Sequence, residues 1–455
     1  MSDATATAIA NAFPPSFEWG CATSAFQIEG AAHQGGKLPS IWDDFCRLPG
    51  KILDHSDGHM ACDHVNRMRE DVALIADLGF RHYRFSIAWT RVADQQGQPI
   101  AQGLDFYKRL LDELNQKGIT PNATLFHWDL PSHLDGGWLN RETAYRFADY
   151  AQMIARELGD ALPRVATLNE PWCSAFMGYD LGVFAPGHRS REEALAAAHH
   201  LMLAHGLGIQ AWRSVRTDTA LGIVLNPELC DPATNDPGDQ LAARLSEAER
   251  NDVFLNPLFG REWPEAMQAQ IGSLAHVRRP GDLDICAQPL DFMGLNYYTR
   301  SVARTPTTPE EVRRGFGLVA PTGSEWPLTD IGWEIYPAGL SRMVQNLRTQ
   351  WPLPPVWITE NGAADNADVT EGGCHDPLRQ HYLEAHLTEL ARLVAEGVDI
   401  RGYYVWSLLD NFEWAHGYSQ RFGVVHVDYA TQRRTPKHSA RWLQQLMQHH
   451  ALSIA

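Results

Sequence analysis

Eight short runs of apolar and β-branched residues recur along the chain, at 17–27, 82–89, 120–128, 164–170, 221–226, 291–298, 356–361 and 400–407, and longer amphipathic segments separate them. Alternation of this kind specifies repeated βα units on a parallel sheet. The segments 68–78, 104–116, 142–158, 194–211 and 377–395 carry apolar residues near helical spacing. Gly79, Gly118 and Gly159 stand where C-terminal caps belong.

Each run starts apolar and finishes on polar or aromatic side chains: Gln27, Arg84 with Ser86, His127, Asn169 with Glu170, Asn226, Asn296, Glu360 and Trp406. A closed (β/α)8 TIM barrel has this property, because strand starts fill its core while strand ends converge on one functional rim. An open doubly wound sheet is the second reading. The connections after the fourth, sixth and eighth runs are long, notably 300–333, and loops of that length are expected to wall a pocket.

At 455 residues the length alone suggests about three domains. No linker-like tract or charge block divides the chain, so residues 13–455 read as one catalytic α/β domain behind a disordered tail at 1–12. Hydrophobic residues at 44% supply ample core. The net charge of −17 opposes nucleic acid and anionic membranes as partners and favours a neutral or cationic small substrate. Seven widely spaced cysteines without a C-x-x-C pair read as free thiols in a reducing cytoplasm. The first residues lack the basic and long apolar regions of a signal peptide, and no run approaches the roughly 20 apolar residues of a membrane span.

Cleaving an acetal needs a proton for the departing oxygen and an anion facing the oxocarbenium-like centre, hence two carboxyl groups. Glu170 and Glu360 are the best pair: each ends a β-like run, ATLNEP and VWITENG, beside a strand-breaking Pro or Gly. One strand-end glutamate alone would more often be structural. The pair with its neighbours is what points to catalysis.

TLNEP at 167–171 and ITENG at 358–362 resemble the acid/base and nucleophile motifs of the family 1 β-glucosidases. The likeness extends through FEWGCATSAFQIEG from Phe17, FHWDLP from Phe126, LNYYT from Leu295, GWEIYP from Gly332 and WSLLDNFEW from Trp406. It implies a retaining, exo-acting enzyme in which Glu360 attacks the anomeric carbon and Glu170 serves first as acid and then as base. It also implies that Arg84 and Tyr298 hold the nucleophile, and that Gln27, His127, Asn169, Glu413 and Trp414 surround the hydroxyls of the non-reducing sugar. Asn169 would take the 2-hydroxyl and Trp406 would stack beneath the ring. Trp128 and Phe422 would complete the wall, Asn296 of LNYYT would join the substrate-binding set, and Trp333 would be a platform for the leaving group. Trp172 and Cys173 could line that side, Cys173 as a packed thiol.

The same resemblance implies that 6-phosphorylated sugars are not substrates, since relatives that cleave them carry a small polar residue at the position of Glu413, and that O-glycosides are, since thioglucoside-cleaving relatives carry glutamine at the position of Glu170. Terminal β-glucosides and short oligosaccharides are the implied substrates, with β-galactosides and β-fucosides as side activities.

No cofactor or metal is expected. There is no H-E-x-x-H, and the segment 61–64 and His199, His200 and His205 lack zinc-site spacing. No dinucleotide or P-loop glycine pattern occurs, and Ser24, Ser86 and Ser174 have no nucleophile-elbow surroundings. A non-catalytic sugar-binding protein is the competing reading, disfavoured because both glutamates are present.

Overall fold

The computed structural model describes residues 3–265, 267 and 276–454. Eight parallel strands close into a barrel: β1 Glu18–Ala22, β2 His82–Ser86, β3 Thr120–Phe126, β4 Arg164–Asn169, β5 Ala220–Leu225, β6 Phe292–Asn296, β7 Val356–Asn361 and β8 Ile400–Trp406. Pairing of β1 with β8, from Glu18 opposite Gly402 to Ala22 opposite Trp406, shuts the sheet on itself and excludes the open doubly wound arrangement.

The strands are shorter than the runs that announce them, and the difference locates the rim. His127 and Trp128 follow the last residue of β3, Glu170 follows that of β4, and Gln27 lies in the helical turn Ala25–Ile28 beyond β1. Helices such as His64–Asp77, Ala101–Gln116, Glu142–Glu157, Arg191–Arg213 and Pro377–Ala395 cover the outside. Gly79 and Gly118 follow their helices in the left-handed region, at φ 87° and 65°. Gly159 does not: the helix before it ends through Leu158, and Gly159 opens a 3₁₀ turn where a Cβ would collide with the Arg216 side chain.

The barrel interior is layered. At the strand starts Arg164 forms a two-pronged ion pair with Glu18, at 2.7 and 2.9 Å, and its guanidinium lies 4.0 Å over the Trp357 ring. Above it Ala22, Ala166, Val224, Phe292, Tyr404 and Trp406 fill the middle. The chemistry-bearing side chains form the top.

The start of the chain departs from expectation. Residues Asp3–Ala10 form a helix whose Ala6, Ile9 and Ala10 are buried against the last helix, His438–Ile454. Eight residues of this composition would not hold a helix alone, and tertiary packing of the small apolar face supplies the difference. Phe13, Phe17 and Trp19 continue that seam as a ring cluster with centroids 4.3–5.0 Å apart.

The connections after β4, β6 and β8 do rise as walls above the strand ends, and the one after β5 joins them. Cys230–Pro232 from that connection pairs with Ser301–Arg304, which in turn pairs with Gly317–Leu318, tying the two adjacent loops into one small sheet.

Candidate active site

Strict alternation along β4 would turn residue 168 toward the axis, but Val165 and Leu168 both join the outer core while Ala166 joins the inner cluster. The slip coincides with a register shift between Ala166 and Asn169 against β5. A second shift lies between Ile358 and Glu360 where β7 meets β6. Irregularities of this kind re-aim side chains, and here they bring Asn169, Glu170 and Glu360 to one place. Glu170 completes the turn with φ 45°, a left-handed conformation rare for a residue with a side chain, and Trp128 and Trp414 share it at 78° and 52°.

Arg84 from β2 ties the two carboxyl-bearing strands together. Its Nη1 donates to Glu360 Oε1 at 2.6 Å and its Nη2 to Asn169 Oδ1 at 2.6 Å. Tyr298 Oη donates to Glu360 Oε2 at 2.6 Å. The phenol keeps its proton, because burial and the nearby Glu360 and Glu170 charges push its pKa well above the ordinary value. Both oxygens of Glu360 therefore accept hydrogen bonds from strong donors, the environment of a carboxylate.

Glu170 is surrounded differently. Asn296 Nδ2 donates to its Oε1 at 2.7 Å, and the thiol of Cys173 lies 3.1 Å from Oε2. Burial, reinforced by the charge of Glu360, pushes its pKa up to about 7. The pair thus has one member held by a cation and a phenol and one held by neutral groups, the division that acid and anion roles require. Glu413, half-buried near both, is raised to about 8 by desolvation and the two glutamates. Burial and Arg84 hold His127 well below the usual imidazole range, so it is a neutral hydrogen-bonding group.

These groups open into a cavity of about 770 Å³. Of the residues singled out in the sequence, His127, Trp128, Glu170, Trp172, Cys173, Asn226, Asn296, Tyr298, Trp333, Glu360, Trp406, Glu413, Trp414 and Phe422 line it. Gln27, Arg84 and Asn169 lie behind the wall. Gln27 Nε2 donates to Asn411 Oδ1 and the Phe412 carbonyl, both at 2.9 Å, with Glu413 Oε2 3.4 Å away. Asn169 accepts from Arg84 and Asn296 and approaches His127 Nε2 at 3.1 Å. Trp333 packs edge-on to Tyr298, centroids 5.5 Å apart, at the outer end.

Sequence reasoning missed part of the outer half. Arg250 lines the cavity with its guanidinium 3.8 Å over the Trp172 ring, and Glu228 and Glu334 line it as well. Arg250 and Glu228 arrive on the β5 connection, which carries no motif pointing inward. Cys173 is more than a packed thiol, and its spacing of three residues from Glu170 was the available signal. The histidines weighed as metal ligands are engaged singly: His64 with Asp71, His199 with Asp282, His200 with the Trp138 carbonyl and His205 with Thr167.

A closed (β/α)8 barrel that gathers a carboxyl pair of opposed environments within an aromatic-walled cavity defines a glycoside hydrolase. The chain belongs to glycosyl hydrolase family 1, whose model matches residues 9–452. It is 46% identical to a β-glucosidase of Agrobacterium sp. over 95% of each chain. It is 41% identical to a bifunctional β-D-glucosidase/β-D-fucosidase of Bifidobacterium breve, covering 96% of this chain and 99% of that one. Among solved structures, the virulence factor SghA from Agrobacterium tumefaciens superposes with a TM-score of 0.94 at 45% identity, over 98% of this chain and 99% of that one.

Proposed function

We propose that the chain is a retaining, exo-acting β-glucosidase that releases terminal glucose from β-glucosides and short oligosaccharides, with Glu360 as nucleophile and Glu170 as acid/base. The observation that carries this reading is the asymmetry of the pair: Arg84 and Tyr298 donate to Glu360, while among the described residues the side-chain hydrogen bonds of Glu170 are to the neutral Asn296 and Cys173 and its pKa is raised. Glu360 attacks the anomeric carbon as Glu170 gives its proton to the glycosidic oxygen. Glu170, now ionised, takes a proton from the water that displaces Glu360, and two inversions leave the configuration unchanged. Arg84 and Tyr298 position the attacking carboxylate and Asn296 orients the acid.

A cavity floored by the packed barrel admits one end of a chain, which fits exo action. His127 and Glu413 supply polar partners for the sugar hydroxyls, backed by Gln27 and Asn169. Trp406, Trp128, Trp414 and Phe422 supply apolar faces, and Trp333 with Trp172 walls the leaving-group side. Kinship with an enzyme named for both glucosidase and fucosidase action supports a secondary activity on β-fucosides. Seven unbridged cysteines fit a cytoplasmic enzyme.

Proton NMR of an aryl β-glucoside digest, with the β-galactoside and the β-glucoside 6-phosphate in parallel, tests the proposal. Fast release of β-glucose is expected, with slower turnover of the galactoside. No turnover of the 6-phosphate is expected, since Glu413 offers a phosphate no cation. First release of α-glucose would refute the double displacement. No turnover of any of the three would favour a sugar-binding protein.

The pH profile supplies a second test. Glu170 must carry its proton in the first step, so kcat/KM for a substrate with a poor leaving group falls as pH rises through about 7. A flat profile through that range would contradict the acid role.

A further inference from the structure

We infer that Cys173 is a positioning residue for the acid/base carboxyl, its thiol serving as a reversible hydrogen-bond partner of Glu170 Oε2 that accepts while that oxygen is protonated and donates once the proton has left. This rests on the reading of Glu170 as the acid/base.

The geometry first decides which oxygen carries the proton. Asn296 Nδ2 donates to Oε1 at 2.7 Å, and its amide cannot turn over without loss, because Thr359 Oγ1 donates to Asn296 Oδ1 at 2.7 Å. Oε1 is thus an acceptor in both states, and the exchangeable proton belongs on Oε2. The polar partner of Oε2 is the Cys173 sulfur at 3.1 Å. Cys173 N–H also donates to the Glu170 carbonyl at 2.9 Å, and the residue opens the wide helical turn Cys173–Asp180, so backbone as well as side chain fixes it under the carboxyl.

A thiol is suited to an oxygen that must gain and lose a proton every cycle. It has a weak donor and a weak acceptor on one atom, so it serves both states and binds the proton in neither. An arginine there would trap the ionised form. Asn226 Nδ2 approaches the same sulfur at 3.4 Å and leaves the S–H free to face Glu170. Burial and the Glu170 charge hold the Cys173 pKa well above the usual value, so the group remains a neutral thiol throughout.

The other groups around Glu170 are Glu360 from β7, Arg250 from Ala248–Asp252, Tyr298 beyond β6 and Glu413 beyond β8. Of these, Arg250 is linked to Cys173 through Asn226, whose carbonyl accepts from Arg250 Nε and whose Nδ2 approaches the sulfur, and Cys173→Ser, which keeps a partner for Asn226, controls for that link. Of the thiol's two hydrogen bonds the one donated to ionised Glu170 is the stronger, because its acceptor is charged, so removing the thiol destabilises the ionised form more than the protonated one and the Glu170 pKa rises. For a phenyl β-glucoside, Cys173→Ala should move the alkaline limb of kcat/KM upward by about half a pH unit, and Cys173→Ser should bring it back toward the parent. A 2,4-dinitrophenyl β-glucoside, which needs no proton, should show no such displacement. Coincident limbs for Cys173→Ala and the parent would overturn the proposal.

Should the alanine variant fail to fold, the parent itself gives the answer. In infrared difference spectra, the S–H stretching band that Cys173→Ser removes from the bands of the seven thiols should shift as Glu170 titrates and stay fixed in Glu170→Gln. A band that does not move in the parent would overturn the proposal. The acid/base reading fails separately: the parent would then show the same alkaline limb on both substrates.

Discussion

Glu360→Ala is expected to lower kcat on aryl β-glucosides by at least about 10⁴-fold, a loss of roughly 5 kcal/mol of transition-state stabilisation. None of the other carboxylates lining the cavity is placed to take over: in the outer half Glu228 accepts from Ser246 and Ser301, and Glu334 accepts from Arg300. Glu170 lies on the acid side, and Glu413 is raised to about 8. The substitution leaves Arg84, only 1% exposed, without its carboxylate partner. A small anion such as azide or formate then finds a hole shaped by a guanidinium and the Tyr298 hydroxyl. Added azide should restore turnover and give the α-glucosyl azide, since one displacement replaces two. Product configuration by NMR decides the matter, and a β-azide would remove Glu360 from the nucleophile role.

Glu170→Ala should divide substrates by leaving group. Phenyl and alkyl β-glucosides, which depart only with a proton, should lose about 10²- to 10⁴-fold in kcat/KM. A 2,4-dinitrophenyl β-glucoside should still glycosylate Glu360 at close to the parent rate and then stall, because no base remains to activate water. A burst of dinitrophenol followed by a slow steady state is the expected record. Azide should accelerate the slow phase and yield β-glucosyl azide, having no proton to lose. Equal losses on both substrates would mean that Glu170 does not supply the proton.

Much of this was legible in the sequence because a barrel repeats one signal eight times. An apolar run of residues such as VWIT in β7 must be buried on both faces, and the polar residue that ends it must then stand at the rim. The sequence could not show the register shifts in β4 and β7, since each changes direction by one residue without changing composition. Nor could it show that Gln27, Arg84 and Asn169 lie behind the wall: at a strand end, side chains that face the cavity and side chains that hold it are chemically alike. Arg250 and Glu228 were invisible for another reason, coming from a connection whose course depends on pairing with Ser301–Arg304. The first helix was misread because its composition alone would not fold, and its burial comes from a partner more than 400 residues away in sequence.

Three residues with side chains hold left-handed backbone at the rim, among them Glu170 itself. Such a conformation costs on the order of 1–3 kcal/mol, and it persists because the barrel beneath is rigid enough to impose it. Glycine at position 170 would relax both the backbone and the crowding of buried carboxyl groups. If Glu170 is the acid we propose, thermal resilience and turnover pull against each other at this one position, and selection for heat tolerance alone would tend to erase it.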